Sequence, residues 1–162
     1  MSTNREVIER YLAAMKSALF EGDYRSLDQL RHPDFVEEWP QSGERVLGSA
    51  NMRAIEEHMP NPPVSGSVER LVGSEDRLAL TPAMTILHIA GTGDMYTVVW
   101  RATYQLGDVW FGIMLCTLRD RLVWRATTFF APQLEAPAWR AAWAEPIPDA
   151  TDGGGSAVGN AR

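Results

Sequence analysis

The chain changes character once, at Pro62-Pro63, and that switch constrains its fold more than any other feature. Before it, apolar residues recur at helical spacing. After it, residues 65 to 130 are crowded with Val, Ile, Leu, Thr, Trp and Tyr, broken at Ser74-Glu75-Asp76, Gly91 to Asp94, Gly107-Asp108 and Asp120-Arg121. Helices followed by a run of long strands predict an α+β domain, with the helices on one face of a curved antiparallel sheet. In the first part, Val7, Ile8, Tyr11, Leu12, Met15, Ala18 and Leu19 form one apolar face of a helix over residues 4 to 21. Thr3 and Glu6 make a capping box before it, and Gly22 suits a left-handed cap after it. A short helix follows Asp23 and stops before His32-Pro33, and a third opens at Ser49 and runs to Pro60. Phe35 to Trp39 reads as a short strand closed by Pro40. The expectation is one domain over residues 1–148 and a disordered Gly-rich tail over 149–162, which lacks large apolar groups.

Charge and residue usage narrow the function. With 15 basic against 21 acidic side chains, the formal charge of −6 argues against nucleic acid and anionic membrane surfaces as partners. No run of about 18 apolar residues exists to span a bilayer. A lone Cys116 and an opening without an apolar stretch lead to the expectation of a reducing, cytoplasmic setting. Three His without metal-ligand spacing, and no phosphate-cradling Gly loop, predict neither a metal nor any other cofactor.

Turn positions predict which side chains share a face. With Gly107-Asp108 as a two-residue hairpin loop, Tyr104 opposes Phe111, Ala102 opposes Ile113 and Trp100 opposes Leu115. Treating Asp120-Arg121 alike adds Trp124, Ala126, Thr128 and Phe130 to that face, which also carries Tyr96 and Val98. The other face receives Arg101, Thr103, Trp110, Met114, Cys116, Arg125, Thr127 and Phe129, as a dimer contact or a partly wet surface. The first face is expected to look inward. Its indoles and phenols bring donors that a ligand- or water-filled cavity could satisfy, the other reading being that they are core. One-residue bulges would exchange the two sets.

Few residues could move a proton in such a cavity. Glu37 shares a strand face with Phe35 and Trp39, where flanking rings would desolvate its carboxylate and make it an acid or base; the alternative is a rim carboxylate paired with an Arg. His88 pairs with Tyr96 on the inner face if the preceding hairpin has a three-residue loop, and points outward with a four-residue loop. Trp139 and Trp143, one helical turn apart, are expected to fold back on the body or onto a partner subunit.

The long first helix, its Gly22-Asp23 break, His32-Pro33-Asp34-Phe35, the stretch Glu38-Trp39-Pro40-Gln41-Ser42-Gly43-Glu44-Arg45 with Gly48, and the meander that follows resemble the nuclear-transport-factor-2-like (NTF2-like) superfamily. The chain is most similar to its SnoaL-like polyketide-cyclase branch, and Glu135-Ala136-Pro137-Ala138-Trp139-Arg140 resembles the end of many bacterial members. The resemblance, over residues 5 to 145, implies a cone-shaped α+β barrel open at one end, a pocket between sheet and first helices, and commonly a homodimer. In the ketosteroid isomerases of this superfamily the general base is an Asp just before the Pro of the short strand, a place held here by Trp39. For their first-helix Tyr the resemblance offers Tyr11 as a candidate, on a helix about one turn longer; their protonated sheet Asp and the Asp-Arg-Asp set of the epoxide hydrolases have no counterpart here.

Together these readings imply a cofactor-independent isomerase, dehydratase or cyclase acting on an apolar or amphipathic organic molecule. Glu37 or His88 would move the proton, and Tyr11 or Tyr96 would donate to a developing oxyanion. Trp39, Tyr96, Trp100, Tyr104, Phe111 and Trp124 would shape the cavity. The alternative is a non-catalytic ligand-binding protein or a dimeric structural domain of the same fold.

Overall fold

The computed structural model describes residues 3–73, 78–80, 86–88 and 93–145, with the backbone alone for 78–80 and 86–88. The tail expected to be disordered, 149–162, lies outside the described residues. Helix α1 spans Asn4–Glu21 and is punctuated as its sequence demands. Thr3 Oγ1 accepts from Glu6 N–H, Thr3 N–H donates back to Glu6 Oε2, and Gly22 closes the helix at φ 75°. Helix α2 is Tyr24–Asp28, strand β1 is Arg31–Trp39, β2 is Glu44–Leu47 and α3 is Ser49–Glu57. Then come β3 (Pro63–Gly73), the short β4 (Leu78–Leu80) and β5 (Ile86–His88), and the long β6 (Met95–Tyr104), β7 (Val109–Arg119) and β8 (Leu122–Pro132).

Six strands form one sheet in the order β2-β1-β8-β7-β6-β3, and β4 pairs with β5 apart from it. The sheet is mixed, because β1 lies parallel to β8 while every other pair in it is antiparallel. The all-antiparallel expectation is corrected there: α2 and the turn after it carry the chain directly into β1, which docks alongside the last strand.

Register decides what looks inward. The β6–β7 pairing sets Trp100 opposite Gly112 and Thr103 opposite Val109, a shift of three residues from a two-residue loop at Gly107-Asp108. The turn is longer because Tyr104 N–H reaches the Asp108 carbonyl at 2.8 Å while Gly107, at φ 92°, closes back onto the Tyr104 carbonyl. An odd shift exchanges the faces of β7. Trp110, Met114 and Cys116 therefore face inward, whereas Phe111, Ile113 and Leu115 lie outside, with Phe129, each 41–45% exposed. The Asp120-Arg121 hairpin is the two-residue turn its sequence predicts, both residues being left-handed at φ 51° and 63°. A bulge between Thr117 and Leu118 then places Trp124 as the extra residue of β8.

The inner face has a closed half and an open half. At the closed end Val123, Leu118, Ala126, Cys116, Tyr96, Val98 and Met114 are buried against Val7, Ile8, Tyr11 and Ala14 of α1. Toward the other end α1 and the sheet line a cavity between them. Asn4 hydrogen-bonds the Gly93 carbonyl at the closed end, and Phe20, near the helix C-terminus, lies over Gly66 of β3. Trp139 and Trp143 do not fold back on the body: they are 72% and 83% exposed, beyond a 3₁₀ turn at Ala138–Arg140. No helix among the described residues is long and apolar enough to cross a membrane.

Candidate functional site

Between α1, α3 and the open half of the sheet lies a mostly apolar cavity of about 790 Å³, a volume suited to a drug-sized organic molecule. Leu12, Met15, Lys16 and Leu19 line it from α1, Met52 and Met59 from the α3 side, and Trp100, Trp110, Met114 and Phe130 from the sheet. Tyr104, Trp110, Phe130 and Trp39 form an aromatic wall, joined edge to face at centroid distances of 6.3, 6.0 and 6.5 Å. Asn61, also at the cavity, ties the segment between α3 and β3 to the β6–β7 turn. Its Nδ2 donates to Asp108 Oδ2 at 3.3 Å and its Oδ1 accepts from Leu106 N–H at 2.9 Å.

Glu37 also lines the cavity, and its side chain is placed by strand periodicity. Phe35, Glu37 and Trp39 alternate inward along β1, Phe35 sealed in the core and Glu37 7% exposed. Glu37 Oε1 accepts from the indole N–H of Trp39 at 3.1 Å and from the Thr128 hydroxyl at 2.9 Å. No described residue donates to Oε2.

Beside this carboxylate runs a buried charged network. Arg31 Nη2 donates to Glu56 Oε1 at 3.0 Å, with side chains 0% and 4% exposed. Burial works against the Arg31 charge, and the nearby Tyr11 hydroxyl and Glu56 carboxylate overcome it, so the guanidinium stays protonated. Burial pushes Glu56 above the usual carboxylate range, with Arg31 pulling the other way. Burial likewise drives the Tyr11 phenol and the Cys116 thiol far above their ordinary values, which leaves the thiol inert as a nucleophile.

Of the residues expected at the site, Glu37, Trp39, Trp100 and Tyr104 border the cavity. Tyr11 does not: it is 1% exposed, beneath the cavity beside Arg31, and offers no hydroxyl to a ligand. Tyr96 is sealed in the closed half, where its hydroxyl donates to the Gly93 carbonyl at 3.0 Å. Phe111 lies on the outer face with the Arg101 guanidinium 5.8 Å from its ring centroid, a consequence of the longer β6–β7 turn. Trp124, displaced by the bulge, is flanked by Arg119 and Arg125 at 5.3 and 4.5 Å instead of lining the cavity. The His88 backbone pairs with Leu78 in the separate β4–β5 hairpin, and Tyr96 pairs with Gly73 and Cys116, so the His88–Tyr96 pairing, one of the two arrangements the sequence leaves open, does not form. The His88 side chain lies outside the described residues.

Sequence reasoning missed Thr128 as a partner of Glu37, Trp110 in the aromatic wall and the Arg31–Glu56 pair. Thr128 lay on the expected inner face, and its even spacing from Ala126 and Phe130 was the available signal. Nothing local to Arg31 or Glu56, 25 residues apart, marks them as partners. Among the described residues no cluster of three metal-ligating side chains occurs.

No protein-family model and no curated protein matches the sequence, whereas many solved structures match the fold. An NTF2-like protein of unknown function from Burkholderia xenovorans LB400 has a TM-score of 0.66 at 26% identity, over 91% of this chain and 100% of that one. A candidate ketosteroid isomerase from Kribbella flavida DSM 17836 has a TM-score of 0.64 at 22% identity, over 90% of each chain. A steroid delta-isomerase from Pseudomonas aeruginosa has a TM-score of 0.53 at 16% identity, over 78% of this chain and 80% of that one. These likenesses establish an α+β fold of the NTF2-like kind, a scaffold that hosts unrelated chemistries.

Proposed function

We propose that this chain binds an apolar or amphipathic organic metabolite in its cone and acts on it as a cofactor-independent isomerase, dehydratase or cyclase, as SnoaL-like proteins do. The observation that carries the reading is Glu37: a carboxylate bordering an apolar cavity, one oxygen held by two donors and the other without a described donor. Trp39 and Thr128 fix the group, and Oε2 is the atom that would take a proton from an activated C–H and return it elsewhere on the same molecule. Tyr104, half-buried at the cavity wall, replaces Tyr11 and Tyr96 as the phenol able to donate to a developing oxyanion. The isomerase names of two fold neighbours support the reaction class.

A second reading, a binding protein without catalysis, is favoured by two observations: Trp39 stands where the resemblance puts a general base, and Tyr11 is sealed away. Thermal-shift and native mass-spectrometric screening against steroid, polyketide and terpenoid libraries would identify a ligand; one present at about 100 times its Kd stabilises by about 2.7 kcal/mol. With that ligand, Glu37→Gln should abolish turnover and retain binding. Binding that never leads to turnover selects the second reading.

The same proposal takes the chain as a homodimer in a reducing, cytoplasmic setting. In its support, the outer sheet face exposes Phe111, Ile113, Leu115 and Phe129 on adjacent strands, and Cys116 is a buried free thiol.

A further inference from the structure

Within the α1 stripe that lines the cavity, Leu12, Met15, Lys16 and Leu19 stand at positions i, i+3, i+4 and i+7, the spacing of a single helical face. Three of the four are apolar, and the fourth is a lysine. Lys16 forms no ion pair with a described residue, in a chain whose acidic side chains outnumber its basic ones. Arg101 also borders the cavity, but its guanidinium lies over the Phe111 ring on the outer face. The acids that border the cavity are otherwise engaged: Glu56 by Arg31, Glu37 by Trp39 and Thr128, and Asp108 by Asn61. Among the described residues, Lys16 is thus the uncommitted cation that borders the cavity, and it is exposed to solvent.

Its distance from the floor has a physical meaning. Tyr11 is buried in the core and α1 begins to line the cavity only at Leu12, so residue 11 of α1 is level with the cavity's closed end. The helix runs from there toward the mouth, and Lys16 lies five residues farther on, about 7.5 Å along the axis at 1.5 Å per residue.

We propose that the cavity's ligand is an amphipathic organic acid, with one anionic group held by Lys16 at the mouth and an apolar body against the aromatic wall. Its reactive end would meet Glu37 deeper in the cavity, where a second negative charge is disfavoured. This assignment rests on the reading of the cavity as a small-molecule site and supplies the ligand class that it leaves open.

A matched pair of fluorescent probes tests it. 1-Anilinonaphthalene-8-sulfonate and N-phenyl-1-naphthylamine share one ring system and differ by the anionic group. The wild-type chain should bind the sulfonate more tightly, with an affinity that falls as salt is added. Lys16→Met should weaken the sulfonate about three- to tenfold and leave the neutral probe unchanged, and Lys16→Arg should keep the preference. Ala102→Trp, which projects an indole into the cavity, should weaken both. Equal binding of the two probes, equal effects of Lys16→Met on both, or sulfonate binding unweakened by Ala102→Trp would overturn the assignment while leaving a small-molecule cavity in place. Binding of neither probe would overturn the cavity reading, and this assignment with it.

Discussion

The indole of Trp100 occupies the space that a side chain at residue 112 would need: a Cβ built on Gly112 overlaps Cε2 and Cζ2 of the ring, across the β6–β7 ladder. The absence of a side chain there lets the indole lie flat against the sheet and form part of the cavity wall. Gly112→Ala should therefore force Trp100 out of its rotamer at a cost of about 1–3 kcal/mol, read as a lower denaturant midpoint and a loss of ligand or probe affinity. Adding Trp100→Ala should restore much of the stability. A Gly112→Ala protein that melts like the wild type would refute the close packing.

Thr128 and Trp39 both donate to one oxygen of Glu37, and removing one donor leaves a buried carboxylate half satisfied. Thr128→Val, which preserves shape, should cost about 1–3 kcal/mol at neutral pH. In a double-mutant cycle with Glu37→Gln the two losses should be non-additive by 0.5 kcal/mol or more, on the order expected of contacting polar groups. Strict additivity would mean that the bond contributes nothing.

Arg31 and Glu56 form a buried pair, so truncating one partner strands the other's charge. Arg31→Met alone should destabilise by about 3–5 kcal/mol, and pairing it with Glu56→Leu should recover most of that loss. Equal stability of the single and double variants would show that the pair is not desolvated.

The pH dependence has a definite sign. Burial raises Glu56 above its ordinary value of 4.5, so the folded chain holds this proton more tightly than the unfolded chain. The contribution of this group to stability is then greatest at acid pH and falls as pH rises from about 4.5 through the folded-state value. Chemical unfolding at steps between pH 4 and 8 should show a flatter profile for Glu56→Gln than for the wild type. Identical profiles would assign the slope to other groups.

If the outer sheet face joins two copies, Ile113→Asp should convert the dimer to a folded monomer in light scattering coupled to gel filtration. Ile113 is exposed on the monomer, so its folded state has no need of the isoleucine. A wild-type chain that is monomeric at all concentrations would dispose of the homodimer.

What was legible in the sequence follows the range of the forces involved. The capping box at Thr3, the left-handed Gly22 and the Asp120-Arg121 hairpin are local, and residue types alone specify them. The inward aim of Glu37 is also local, because β1 alternates between two fixed neighbours. Residue types alone put Phe111 and Trp124 in the wrong surroundings because sheet faces follow register. Register there depends on a turn that Tyr104 and Asp108 lengthen and on a bulge that no residue type announces. Arg31 and Glu56 are brought together by tertiary packing, and neither carries a signal of the other.

The parallel docking of β1 on β8 also has a kinetic consequence. Thr128 is 91 positions from Glu37, so the oxygen that anchors this carboxylate has no partner hydroxyl until almost all of the described chain has emerged and the last strand has found the first. Closing so large a loop is entropically slow. The cone should thus acquire its floor in the final step of folding, with α1 and the β6–β7 hairpin able to assemble before any ligand could be held.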